Sequence, residues 1–427
     1  MGLTTEPWTG RPASTPPDAK TDLLLSLARA LHKVGLPAHR LEATLLRLAG
    51  RLGVPLQIMT MPTGLLISFD GGRAPLTYVL RAQAGRVDLQ SWTGLTALVR
   101  QLERGTVEVG EARRRIDEIE QTRSCWSQPA IVAAYVLSGG AFAVFFGAGT
   151  TELWAALAVG LAVGCVAVAL RKVRASSRLF ELVAAMAAGL IVGSIDLELG
   201  SFAEWVPLAA GLIILLPGIM LVDATEELAQ GHLVAGSSRM AGVGVVFLAM
   251  TIGVLLGLKV NEFLPNAPIV REPMPLPEWT WLPALVLVAL GSTIRFGARG
   301  GDYGWILIGS AVALAGTRLG TTMLGPVCGE FFGAFVLGLA AHLAARLRGV
   351  TPELVIIPGL ALLVPGSLGV RTISSLLGQN PDLAVSSLLG TDPNLAMQTG
   401  FQMFLVAMAL VAGLLFSDAL AGEKSAA

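Results

Sequence analysis

The rhythm of hydrophobic and polar positions changes near residue 128. Before it, the pattern is that of a small α+β domain, about residues 21–124. Leu24, Leu27, Ala28 and Leu31 recur at helical spacing, and Gly35 and Pro37 end the run. Leu41, Leu45, Leu48 and Leu52 mark a second helix. Four short runs then have strand character: 56–60, 64–69, 76–80 and 87–89, set apart by glycine-containing turns. Two polar helices, about 93–104 and 107–122, close the domain.

After residue 128 the runs become long enough to cross a bilayer, at about 20 residues each. The pattern predicts ten spans, at about 129–148, 152–170, 180–199, 204–222, 241–259, 280–297, 303–320, 325–345, 353–370 and 397–416. Pro358, Gly359, Pro365 and Gly366 fall in the ninth, which reads as broken. The expected architecture is therefore a membrane all-α bundle of about ten helices preceded by a small soluble α+β domain. Residues 1–20 form a tail, 261–279 a Pro-rich external linker and 419–427 a second tail.

Basic residues set an orientation, because short cytoplasmic loops collect Lys and Arg. Arg171, Lys172, Arg174 and Arg178 share one loop, Arg295 and Arg299 another, and Arg346 and Arg348 a third. All three lie on one side if the N-terminus is inside. No signal-peptide pattern opens the chain, so both termini are expected in the cytoplasm, with the bundle in a bacterial inner membrane.

Composition agrees. The 427 residues are 53% hydrophobic and only 14% charged, against about 25% charged in ordinary soluble domains. Fifty glycines and 6% aromatics suit helices packed closely in lipid. Charge balances to zero, so no nucleic-acid partner is implied. Cys125, Cys165 and Cys328 lack metal-ligand spacing, and no cofactor or metal is expected. No phosphate-binding glycine loop is present, which points to a gradient rather than ATP as the energy source.

Leu215-Leu216-Pro217-Gly218 returns as Leu363-Val364-Pro365-Gly366, and Glu181 is answered by Glu330 at nearly the same offset. Two halves of five helices follow. Five is odd, so they enter the membrane with opposite orientation, as in many secondary transporters. Pro-Gly within a span frees backbone groups that must line a cavity or be buried. It reads either as a broken helix offering backbone to substrate or as a packing kink.

Glu330 lies in an apolar run, where an ionised carboxylate is costly unless paired or wet. It is a candidate proton carrier, or a structural partner of Arg318 or Arg371. Asp223 and Arg371 each follow a Pro-Gly proline by six residues and read as gate charges or interfacial anchors. Glu226, Glu227, His232 and Arg239 fall between the fourth and fifth spans, read as a connecting segment. His39, Arg40 and Glu42 form a polar cluster in the N-terminal domain, either a ligand site or a structural ion-pair group.

Gly35-Leu36-Pro37-Ala38-His39-Arg40-Leu41-Glu42 with Pro62-Thr63-Gly64-Leu65-Leu66-Ile67-Ser68-Phe69 resembles the N-terminal signature of the threonine/serine exporter (ThrE) family. Leu216-Pro217-Gly218, then Glu227 to His232, then Ala235 to Arg239 is similar to its second signature, and the second half resembles its smaller C-terminal module. Glu227 and His232 stand where the family pattern expects an Asp and an acidic residue. The resemblance implies export of small amino acids, L-threonine and L-serine, driven by protons, by a chain not expected to be an enzyme. It leaves open dicarboxylate export, a membrane-anchored sensor or enzyme working through the N-terminal domain, and homo-oligomerisation.

Overall fold

A computed structural model describes residues 18–70, 75–82, 85, 87–122, 125–172, 179–199, 203–261, 275–363 and 393–422. The chain separates into two compact units, one of Met1–Arg86 with Ser91–Thr122 and one of Val87–Gln90 with Arg123–Ala427.

The first unit runs α1 (Ala19–Lys33), α2 (Ala38–Leu52), β1 (Leu56–Met61), β2 (Gly64–Phe69), β3 (Leu76–Arg81), most of α3 (Leu89–Arg104) and α4 (Val109–Gln121). The strands form an antiparallel meander in the order β1-β2-β3. Leu23, Leu27, Leu41, Leu45, Leu65, Ile67 and Ile116 fill the core, all almost fully buried. The expected fourth strand, 87–89, does not form. Asp88 Oδ1 instead accepts the Gln90 amide at 3.2 Å, the N-cap arrangement that starts a helix, so Leu89 opens α3.

The second unit holds α5 (Gln128–Phe145), α6 (Thr150–Lys172), α7 (Phe180–Leu199), α8 (Trp205–Leu212), α9 (Gly218–Ala229), α10 (Leu233–Asn261), α11 (Trp281–Arg295), α12 (Tyr303–Leu324), α13 (Pro326–Arg348), α14 (Glu353–Leu363) and α15 (Pro393–Gly422). Six stretches among the described residues are long and apolar enough to cross a membrane, in α5, α6, α10, α12, α13 and α15. Residues 180–195 and 353–363 form shorter apolar helices.

The fourth expected span, 204–222, is interrupted at the Pro217-Gly218 pair. The helix stops at Leu212 and restarts at Gly218, because Pro217 has no amide to carry the ladder across. The new helix then runs on to Ala229, so residues 223–229 are helix rather than connecting segment. Pro358, by contrast, stays inside α14.

Helix packing relies on absent side chains. A Cβ on Gly160 would sit 2.7 Å from the Tyr135 carbonyl oxygen of α5, and one on Gly257 would sit 2.3 Å from the Met186 carbonyl oxygen of α7. Gly316 and Gly320 of α12 face Gly333 and Gly329 of α13 in the same way. Among the described helices before and after residue 275, the first long helix packs on the second, the second on the third, and the third on the last. That order is α5, α6, α7, α10 before the linker and α11, α12, α13, α15 after it, with α8 and α14 against the second helix of each and α9 against α10 and α15. Val222 of α9 lies in a core made mainly by α12 to α15.

Candidate functional site

The Pro217 break shapes two neighbouring features of the second unit. The first is a buried charge cluster on the α9–α10 hairpin. Gly231, at φ +84°, makes the left-handed turn between the helices, and the His232 amide donates to the Glu227 carbonyl at 2.8 Å. Gly236 brings the backbones together, since a Cβ there would lie 2.8 Å from the Ala224 carbonyl oxygen. Arg239, a turn further on, thereby reaches back to α9. Its Nε is 3.0 Å from Glu227 Oε2 and its Nη1 is 3.8 Å from Asp223 Oδ2. Glu227 is fully buried, and Arg239 and Glu226 nearly so. Glu227 and Asp223 thus face the same guanidinium from one side of α9.

The second feature is a cavity with about 540 Å³ of unfilled space, its open mouth included. It lies between α5, the α8–α9 break, α11 and α14. Ser138 and Ser292, both more than nine-tenths buried, contribute its hydroxyls. Gly218 and Ile219 bring the start of α9 to its wall, and Arg295, stacked over Phe296 at 5.6 Å, is the charged residue among the described lining. The α5–α11 crossing beside it is tight, for a Cβ on Gly291 would fall 2.3 Å from Ser138 Oγ.

Pro217, Gly218, Asp223, Glu227 and Arg239 are thus brought into one region. Glu330 stands apart on α13, half-buried, with its carboxyl beside Thr317 of α12. The alternative in which Glu330 pairs with Arg318 is not what forms: Arg318 lies over the Trp281 ring, 3.3 Å from its centroid, a cation–π contact. Pro365, Gly366 and Arg371 lie outside the described residues, as does most of the 171–178 basic loop. In the first unit Glu42 Oε1 accepts the Thr60 amide at 2.7 Å, tying α2 to β1, while His39 and Arg40 are half-buried on the same helix.

Sequence reasoning missed Ser138 and Ser292, which look like ordinary small residues in apolar runs. It read Arg295 only as a loop charge. It also missed Glu152, buried at the start of α6, which accepts the amides of Gly149 at 3.0 Å and Ala203 at 3.2 Å. The pair His342–Asp418, 2.7 Å apart, links α13 to α15 and was likewise unremarked. An acidic residue within four positions of a glycine at a span boundary was the available signal for Glu152.

A bundle of lipid-length helices with an interrupted helix, buried charges and an internal cavity defines a multi-pass membrane protein of transporter type. Residues 22–261 match the family model ThrE, described as "Putative threonine/serine exporter", and residues 284–420 match ThrE_2, described as "Threonine/Serine exporter, ThrE". The chain belongs to this family of membrane exporters. It is 26% identical over 279 residues to a threonine/serine exporter of Corynebacterium glutamicum, covering 63% of this chain and 57% of that one. It is 23% identical over 385 residues to pheromone-regulated membrane protein 10 of Candida albicans, covering 83% of this chain and 33% of the relative. The Eremothecium gossypii protein of the same name is 23% identical over 377 residues, 83% and 49% of the two chains. The chain thus spans between a third and somewhat over half of the length of these relatives. No solved structure matches.

Proposed function

We propose that this chain is a secondary exporter of small amino acids, L-threonine and L-serine, coupled to the proton gradient. It works by alternating access between two five-helix halves of opposite orientation in a bacterial inner membrane, with both termini cytoplasmic. The observation that carries this reading is the Asp223–Glu227–Arg239 cluster on the hairpin of α10 and the helix that restarts at Gly218, whose first residues also line a cavity walled by elements of both halves. The family match supports the cargo class. The shared neighbour order of the two helix sets supports the repeat, and the basic loops support the orientation.

In this mechanism proton entry to the Asp223–Glu227 pair loosens its hold on Arg239. That shifts α9, and the start of α9 forms one wall of the cavity. Each proton crossing with the gradient contributes about 2.3 kcal/mol per 100 mV. Glu330 is a second carboxylate on the proposed proton path, and Pro365, Gly366 and Arg371 are its expected counterparts to the first break.

Counterflow of labelled L-threonine, L-serine and succinate in proteoliposomes tests this, with and without an imposed proton gradient. Exchange of threonine and serine, accelerated by the gradient, is the expected result. Exchange of succinate alone would replace the cargo, and no gradient dependence would remove the proton.

A further inference from the structure

The loop that joins α11 to α12 is held from outside those two helices. Its amides close the end of α11. Phe296 donates to the Ser292 carbonyl at 2.9 Å, Gly297 to Ile294 at 3.2 Å and Ala298 to Thr293 at 2.9 Å, with Gly297 making the left-handed turn at φ +63°. Its carbonyls are taken by other segments. The Leu89 amide donates to the Phe296 carbonyl at 2.8 Å, and Trp126 Nε1 donates to the Ala298 carbonyl at 2.9 Å. At Gly297, between them in the chain, a Cβ would fall 2.8 Å from Asp88 Oδ1. Cys125 Sγ adds a contact to Gln90 Oε1 at 2.8 Å.

Asp88, Leu89 and Gln90 belong to the second unit, whereas α3 from Ser91 onward belongs to the first. Ser292, Arg295 and Phe296 all line the cavity, so the residue whose carbonyl Leu89 holds is itself cavity wall. Leu89, Phe296 and Ala298 are almost fully buried, and a buried carbonyl that loses its donor is not made good by bulk water.

We propose that Val87–Gln90 is a strap that positions the cavity wall at Phe296, and that the first unit governs access to the cavity through α3. Asp88 and Leu89 are positioning residues, since neither is among the described lining residues and both act through the 296–298 loop. The first amides of a helix have no acceptor within it, and the start of α3 offers one of them to the loop. Unwinding that start withdraws the Leu89 donor and frees the loop to shift. The inference goes beyond the exporter reading, because it needs a cavity but no particular cargo.

The test reads access to the cavity with a thiol. Ser292→Cys is placed in the full chain together with Cys165→Ala, Cys328→Ala and Cys125→Ser, the last keeping a donor toward Gln90. Alkylation by a small water-soluble maleimide is timed on the purified protein. Leu89→Pro deletes the amide at a helical position that suits proline, after a capping aspartate whose extended backbone a following proline accepts. Leu89→Ala keeps the amide and removes the buried side chain. Leu89→Pro should speed alkylation roughly three- to tenfold, as for the loss of one hydrogen bond, and clearly more than Leu89→Ala does. An unchanged rate in Leu89→Pro would overturn the strap. Equal acceleration in both variants would mean general loosening and would overturn it too.

A second variant does not depend on the folding of the proline substitution. Leu98→Ala leaves the strap untouched and loosens α3 within the first unit, where Leu98 is buried. Amide exchange along α3 should rise, and alkylation of the reporter thiol should rise with it. Faster exchange with an unchanged alkylation rate would overturn the coupling to the first unit. A chain that moves no amino acid would sink the exporter reading without altering either result.

Discussion

Arg239 and Glu227 meet across the turn at Gly231, guanidinium Nε to carboxylate Oε2 at 3.0 Å, with Asp223 3.8 Å from the other end of the same arginine. Twelve residues separate the pair in the chain, so the contact depends on the hairpin. Glu227→Ala leaves Arg239 buried with only the longer contact to Asp223. Removing one partner of a buried pair costs about 3–5 kcal/mol, and the remaining carboxylate should hold the loss at the lower end. Thermal unfolding in detergent checks this, and a Glu227→Ala, Arg239→Met double variant should recover much of the stability. A single variant as stable as the parent would show that the pair is energetically idle.

Pro217→Ala restores an amide and raises helix propensity, letting α8 and α9 run together. Efflux should fall severalfold while the unfolding temperature holds or rises. Parallel loss of efflux and stability would identify the break as a packing kink.

Glu330→Gln should weaken gradient-driven efflux with membrane expression unchanged. Efflux measured at several pH values should vary less than in the parent. Curves that superimpose would make Glu330 a structural partner of Thr317.

Gly257→Leu should abolish accumulation of folded protein, because the clash at 2.3 Å is with the Met186 carbonyl oxygen, which cannot turn aside as a side chain can. Gly304→Leu, with open space around it, should be tolerated. Size-exclusion profiles of the two variants provide the comparison, and a monodisperse Gly257→Leu protein would contradict the packing.

On α4 of the first unit, the Arg114 and Arg115 guanidiniums beside Glu111 hold its carboxyl below the usual carboxylate value of 4.5. A depressed folded value means the contribution is complete above the unfolded value and disappears as pH falls from there through the folded one. The hydrogen-exchange protection of α4 in the full chain, taken relative to the intrinsic amide rate at each pH, should therefore decline below about pH 4.5, the unfolded reference value. Glu111→Gln should remove that dependence, and an acid response that persists in the variant would assign it elsewhere.

The apolar runs made the helices of the second unit legible, because lipid-length stretches leave few alternatives. The Pro217 break was legible too, since proline acts on its own helix. What stayed hidden depends on meetings between distant segments. Asp223, Glu227 and Arg239 were each visible as charges, but nothing local foretold that Gly231 and Gly236 would fold them onto one another. Ser138 and Ser292 lie 154 positions apart and carry no pattern of their own. Residues 87–89 misled because three residues hold too little periodicity to outweigh a capping aspartate.

The glycine seam between α7 and α10 limits how this molecule can move. At Gly189, Gly253 and Gly257 the two backbones touch with nothing compressible between them, so sliding would drive main-chain atoms into one another. The pair behaves as a single plank, and any rearrangement that empties and refills the interior falls to elements that keep side chains as cushions. A cross-link fastening α7 to α10 should leave efflux intact, and its arrest would show that the seam slips.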